Sequence, residues 1–332
     1  MKAILDEMLA ALSRGERVVL SSILASSGSV PRGAGAKMAV FEDDRVLGTI
    51  GGGAVERLSI QRAQDALKNG GSNELKSYNL HPSEVASTGM ICGGAVTVYF
   101  QFFAPEQTAD VAVLKRWREM LDKDVDLWLL LSLDGDGVNE FHVVTREEIP
   151  QDKVDYFSAK AVWKDGIYVE PLCRAGSVYI FGGGHVSQAL VPVLAGVGFR
   201  VVVYDDRPEF ADPALFPAAE ETLCGDFLAL EQRVQVTADD YVVIMTRGHQ
   251  ADYEVLCQVL RSGARYLGCI GSRRKLALCR ERLLAQGFTA EEYAAVHAPI
   301  GLPILAETPE EIAISIAAEM IEHRARLAGQ RH

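Results

Sequence analysis

The feature that most restricts the fold is SVYIFGGGHVSQALVPVLAGVGFRVVVYDDRPEF, residues 177 to 210. A short apolar run ends in Gly182, Gly183 and Gly184, a helical pattern opens at His185, and a second apolar run stops at Asp205 and Asp206. That order defines a dinucleotide-type βαβ unit. Glycines let a phosphate approach a helix N-terminus, and an acidic residue ~20 positions on can hold a ribose hydroxyl. Ser187 stands where GxGxxG would place its third glycine, which is expected to loosen the packing of helix on strand. The turn therefore has two readings, a nucleotide site or a bend used only structurally. VYIF, RVVVY, YVVIM and YLGCI alternate with helical segments, which implies a parallel sheet with crossover helices.

The amino-terminal half is less regular and carries a second triplet, Gly51, Gly52 and Gly53, in GTIGGGAVE. Three bare positions raise the entropic cost of ordering the chain, so something is expected to lie close to this backbone. RVVLSSILAS, AKMAVF, RVLGTI and GAVTVYFQFF read as strands, and MKAILDEMLAALSRGER and AVERLSIQRAQDALKN as amphipathic helices. A helix is expected over 107–122, a strand over 126–133 and a DGDG turn after it. The expected fold class is α/β: a mixed α/β domain over 1–145 with its core at 1–105, a linker at 146–174, and a Rossmann-like domain over 175–332.

The 332 residues suffice for two cores. A net charge of -12 repels phosphate backbones and anionic headgroups, so neither nucleic acid nor membrane is an expected partner. The apolar run from Leu127 to Leu133 is far shorter than the ~18 residues of a membrane span. The first residues read as an amphipathic helix and not a signal peptide, so a cytoplasmic location is expected. Six cysteines without a CxxC pair argue against a zinc cluster or a disulfide framework.

Several motifs carry possible chemistry. In GCIGSRRK, Ser272 precedes Arg273, Arg274 and Lys275 at a helix start. Cations there oppose the macrodipole, so either a bound phosphate or solvent exposure must compensate. TRGHQADYEVL, with His249, is a similar loop after a strand, at the sheet edge where open α/β folds bind ligands. MICGG places Cys92 next to Gly93, either as an accessible thiolate or as a buried structural cysteine. His297 is a ligand or simply hydrogen-bonded, and ETPEE reads as a capped helix start.

SSGSVPRGAGAKM, GTIGGGAVE, MICGG, FGGGHVSQAL, YDDRPEFA, TRGHQADYEVL, GSRRK, HAPIGL and ETPEEIAISIAAEMI together resemble the XdhC/CoxI family of xanthine dehydrogenase accessory factors, over nearly the whole chain. The resemblance implies a protein that binds molybdenum cofactor (molybdopterin), assists its sulfuration and delivers it to a molybdenum hydroxylase apoenzyme. It implies a maturation chaperone more than a catalyst. A cysteine desulfurase is a further candidate partner, and a homodimer is an analogy to a dimeric client. Part of the family has a cysteine after the first triplet where this chain has Ala54, which leaves Cys92 as the candidate to meet molybdenum or the incoming sulfur. On this reading the amides of Gly51–Gly53 and Gly182–His185 cradle phosphate or pterin, Arg32 and Lys37 add positive charge, and Ser272, Arg273 and Arg274 hold a phosphate. Asp205 keeps its place as a nucleotide contact, for NAD or for a dinucleotide form of the cofactor. Two competing readings are an NAD(P)-dependent oxidoreductase using the Rossmann domain, and a structural interaction protein whose glycine turns serve packing.

Overall fold

Leu5, Met8 and Leu12 recur at helical spacing and are buried on one side of α1 (Lys2–Ser13), the first element of the chain. Next come β1 (Val18–Gly28), β2 (Lys37–Phe41), β3 (Val46–Gly48), α2 (Gly53–Asn69), β4 (Glu74–Asn79) and β5 (Gly94–Phe103). These strands form one antiparallel sheet in the order β3-β2-β1-β5-β4. The computed structural model describes residues 1–28, 32–79, 94–134, 137–158, 160–173 and 176–327. It divides into two units, Met1–Arg174 and Ala175–His332.

Period-two alternation on β1 decides which layer each face meets. Val18, Leu20 and Leu24 pack with α1 and with the elements that follow β5, whereas Val19 and Ile23 pack in a second cluster with Val55, Ala63 and Leu67 of α2. Fully burying side chains of this size contributes roughly 1.5–3 kcal/mol each, so both faces hold the sheet.

After β5 the chain forms α3 (Thr108–Met120), β6 (Leu127–Asp134), β7 (Gly137–Thr145), β8 (Val162–Lys164) and β9 (Ile167–Cys173). The strands make a second antiparallel sheet, β7-β6-β9-β8. The expected linker at 146–174 is thereby corrected. β9 pairs with β6 from Leu127↔Cys173 to Ser132↔Ile167, and Tyr168 and Val169 are both fully buried. Pro171 and Glu170 break the apolar pattern of IYVEPLC and hid this strand. Two edge strands also escaped the sequence, β4 (ELKSYN) and β12 (ETLC), because half-exposed polar edges lack an apolar alternation.

The second unit contains β10 (Val178–Phe181), α4 (His185–Gly196), β11 (Val201–Asp205), β12 (Glu221–Cys224), β13 (Tyr241–Ile244), α5 (His249–Val259), β14 (Tyr266–Cys269), α6 (Arg273–Ala285), α7 (Ala290–Ala294) and α8 (Pro309–Leu327). Its five strands are parallel in the order β12-β11-β10-β13-β14. Val178, Ile180 and Val243 pack with α4 and α8 on one face, and Phe181, Val242 and Ile244 with α5 and α6 on the other. The strand order reverses between β10 and β13, the place where doubly wound sheets bind ligands. Among the described residues no helix is long and apolar enough to cross a membrane.

Candidate functional site

At the first crossover of the second unit, the turn between β10 and α4 is built by backbone meeting backbone. Gly182 has φ +111°, and a Cβ there would lie 2.3 Å from the Met245 carbonyl oxygen. A Cβ on Gly183 would lie 1.9 Å from the Phe210 carbonyl oxygen. The bareness of both residues is thus explained by neighbouring peptides of the same chain. Gly184, by contrast, caps α4 from the extended region and faces open space. Ser187 does not loosen the turn as expected. Its hydroxyl donates to the Gly182 carbonyl and is buried, which ties the first helical turn to the strand exit.

Asp205 is fully buried. One carboxylate oxygen accepts the Gly183 amide at 2.7 Å and Arg207 Nη2 at 3.1 Å; the other accepts the Arg207 amide at 3.0 Å and its Nε at 2.9 Å. Burial pushes this carboxyl up, but the Arg207 guanidinium and the two amides outweigh it and hold Asp205 below the usual carboxylate range. Its neighbour Asp206 moves the other way, raised by burial and by Asp205 beside it. A carboxylate saturated in this manner has no lone pair left for a ribose hydroxyl. The residues therefore do not fit a dinucleotide in the usual Rossmann pose, and Asp205 is corrected from a ligand contact to an internal anchor of the turn.

The loops after β10, β13 and β14 leave the same edge of the sheet, so the structure brings His185, His249, Ser272, Arg273 and Arg274 to that edge, all five exposed. Arg247 reaches Asp206 at 3.4 Å across it. The turn into α5 repeats the internal-anion device: Asp252 accepts the Thr246 amide at 3.0 Å and hydroxyl at 2.6 Å. Burial nevertheless leaves Asp252 raised. The turn into α6 lacks such a carboxylate. Ser272 caps the helix by accepting the Lys275 amide at 3.4 Å, and Arg273 and Arg274 have no carboxylate partner among the described residues.

In the first unit Gly51, Gly52 and Gly53 all have positive φ, at 120°, 74° and 68°. At Gly52 a Cβ would meet nothing within 4 Å, so the backbone conformation and not a close approach requires glycine there. Glu56 Oε2 accepts the Ile50 and Gly52 amides, each at 3.0 Å, and the Thr49 hydroxyl. Burial raises the Glu56 carboxyl, and the Thr49 hydroxyl with the Gly52, Ile50 and Gly51 amides more than offsets this and keeps it low. The expected anion cradle already holds this chain's own carboxylate.

Lys37 is likewise committed. Its ammonium is buried against Glu170 of β9, which also accepts the Tyr168 hydroxyl at 2.5 Å. Lys37 as a free positive charge for a cofactor is corrected, since Glu170 neutralises it in the interior. Arg32 is exposed. Cys92 and Gly93 lie outside the described residues. Of the described cysteines, Cys269 and Cys279 are buried, and burial pushes both thiols up, Cys279 to about 11. No group of three or more His, Cys, Asp or Glu among the described residues is placed to hold a metal.

His297 is structural: it donates or accepts at Glu319 (3.0 Å), stacks on Tyr266 at 4.5 Å, and its backbone adds to the edge of β14. Glu56, Asp252, Glu170 and Glu319 went unnoticed in the sequence. For Glu56 and Asp252 a signal existed: each carboxylate falls four residues after the glycine that caps its helix, with a threonine two or three residues before that glycine.

The fold and edge define a two-unit α/β protein with a Rossmann unit in which the turns into α4 and α5 are internally anchored. Residues 178–320 match the XdhC Rossmann domain, and residues 11–79 match the XdhC and CoxI family. The chain belongs to the XdhC/CoxI family. It is 28% identical over 304 residues to the uncharacterized protein YqeB of Escherichia coli K12, covering 91% of this chain and only 43% of YqeB. To the molybdenum cofactor insertion chaperone PaoD of E. coli K12 it is 24% identical over 332 residues, covering 97% of this chain and 88% of PaoD. A crystal structure described as a xanthine dehydrogenase from Bacillus halodurans superposes with a TM-score of 0.78 at 28% identity, covering 96% of this chain and 94% of that one.

Proposed function

We propose that this chain is a maturation factor that binds molybdenum cofactor as cargo and hands it to a molybdenum hydroxylase apoenzyme. The single observation that carries the reading is the contrast between turns at the edge of the Rossmann sheet. Asp205 and Asp252 satisfy two of them from within, whereas the third presents Arg273 and Arg274 unpaired at the start of α6. Two exposed cations on a helix N-terminus cost stability through the dipole unless an anion neutralises them. A phosphate tail does so and gains the helix amides as donors. The insertion chaperone PaoD, similar along nearly the whole chain, supplies the class of cargo.

Arg32, exposed between β1 and β2, contributes charge toward the cargo. Cys92 meets molybdenum or the sulfur that a cysteine desulfurase provides. Protection follows from holding the cargo away from water. The dinucleotide oxidoreductase reading has no observation in its favour once Asp205 and Gly183 are saturated.

The test is transfer. Chain purified from a cofactor-producing host and added to apo-xanthine dehydrogenase should restore hydroxylase activity faster than an equal amount of released cofactor alone. Equal rates with and without the chain would end the proposal.

A further inference from the structure

Leu305 is 93% exposed, the most exposed large apolar side chain among the described residues. Its backbone has φ +60°, the left-handed region that a branched side chain pays to enter. Both its side chain and its backbone are therefore held in unfavourable states, which marks a position whose folded form does not serve folding. The loop is not loose. Leu302 and Ser315 exchange two hydrogen bonds, Ser315 Oγ to the Leu302 carbonyl at 2.7 Å and the Leu302 amide to the Ser315 carbonyl at 3.2 Å. Gly301 donates to Glu319 at 2.7 Å. The Ile304 amide donates to the Leu302 carbonyl at 2.8 Å, so this mooring ties the loop of Ile304, 50% exposed, and Leu305 to Ser315 of α8, whose neighbour in sequence, Ile314, is 52% exposed.

Acidic residues border the apolar group. Glu307, Glu310 and Glu311 follow at once and are exposed, with Glu311 fixed by the Glu307 and Thr308 amides at 2.8 and 3.1 Å. A second copy of the chain is a poor occupant, because two such rims would face each other on molecules of net charge -12. The complementary surface is an apolar socket bordered by lysine and arginine.

Resting on the proposed function, we infer that Ile304, Leu305 and Ile314 form a docking knob for the recipient apoenzyme, entering an apolar socket with a basic border. The knob commits the loaded chain to its client, and Leu305 is its tip.

The experiment uses the full chain, loaded with cofactor, and apo-xanthine dehydrogenase. Leu305→Asn should melt at the same or a higher temperature, since asparagine tolerates the left-handed region. The chain concentration giving half-maximal activation should rise about tenfold, which corresponds to ~1.4 kcal/mol of lost burial. Glu310→Lys should raise that concentration as well, and added salt should shrink its effect. An unchanged activation curve for Leu305→Asn overturns the knob alone. A lowered melting temperature for Leu305→Asn assigns the side chain to folding and also overturns it. Wild type that elutes as a dimer and Leu305→Asn as a monomer gives the face to a second copy, against the inference. Wild type that activates nothing removes the proposed function, and the knob with it.

Discussion

The amide of Gly183 donates to the carboxylate of Asp205 at 2.7 Å, while the Phe210 carbonyl covers the other side of the same glycine. The two contacts turn what resembles a phosphate-binding turn into a closed, self-satisfied one. Glu56 does the same for GTIGGGAVE and Asp252 for TRGH. The turn into α6 has no carboxylate of its own, and the proposed function assigns anion recognition to it.

Gly183→Ala and Gly184→Ser separate packing from permissiveness. The first places a methyl carbon against backbone that cannot rotate away and should destabilise the second unit by about 1–3 kcal/mol. The second adds a capping hydroxyl where nothing lies within 4 Å and the backbone is already extended, so stability should hold or rise by a few tenths, about 0.3 kcal/mol. Urea unfolding followed by circular dichroism measures both, and equal losses for the two variants would contradict the packing.

Lys37 and Glu170 should behave as a unit. Lys37→Met leaves a carboxylate buried without its cation and should cost about 3–5 kcal/mol. Adding Glu170→Gln, which still accepts the Tyr168 hydroxyl, should recover at least half of that loss. Tryptophan fluorescence reports on the right unit, because Trp117, Trp128 and Trp163 all belong to it. Additive losses in the double variant would mean that the two groups do not interact.

Glu319 gives the second unit an acid limit. Burial raises its carboxyl, yet the His297 ring, the Tyr266 hydroxyl and the Gly301 amide prevail and lower it to about 2. An unfolded glutamate titrates at ~4.3, so the folded value is depressed. Its stabilising contribution is complete above about pH 4.5 and is lost as the pH falls toward 2. His323, which burial pushes below its usual value, adds a loss of the same sign beginning nearer pH 6.5. Glu319→Gln should flatten the pH dependence between about 4.5 and 2, read from melting temperatures of the second unit. An unchanged slope would exclude Glu319 as its source.

The parallel sheet was legible because β10, β11, β13 and β14 are almost wholly buried and read as the short runs VYIF, VVVY, YVVI and YLGC. β9 was not, since Glu170 and Pro171 interrupt it, and only the distant Lys37 explains the buried Glu170. The glycine triplets were legible as bends, and their ligands were not. An internal anion is marked in the sequence where it lies four residues past the capping glycine, as at Glu56 and Asp252, but not where it lies 22 positions from the glycine it serves, as at Asp205. Side-chain commitment is a long-range property, and Lys37 reaches across 133 positions to its partner.

The most direct measurement is the cofactor content of the purified chain, by molybdenum analysis and pterin fluorescence, for wild type and for Arg273→Gln/Arg274→Gln. Neither side chain supports the fold, so the double variant should melt like wild type. Wild type should retain cofactor, and the double variant should lose about nine-tenths of it, the effect of ~1.4 kcal/mol of lost phosphate contact. A well-folded double variant that retains as much cofactor as wild type, or a wild type that retains none, would contradict the account.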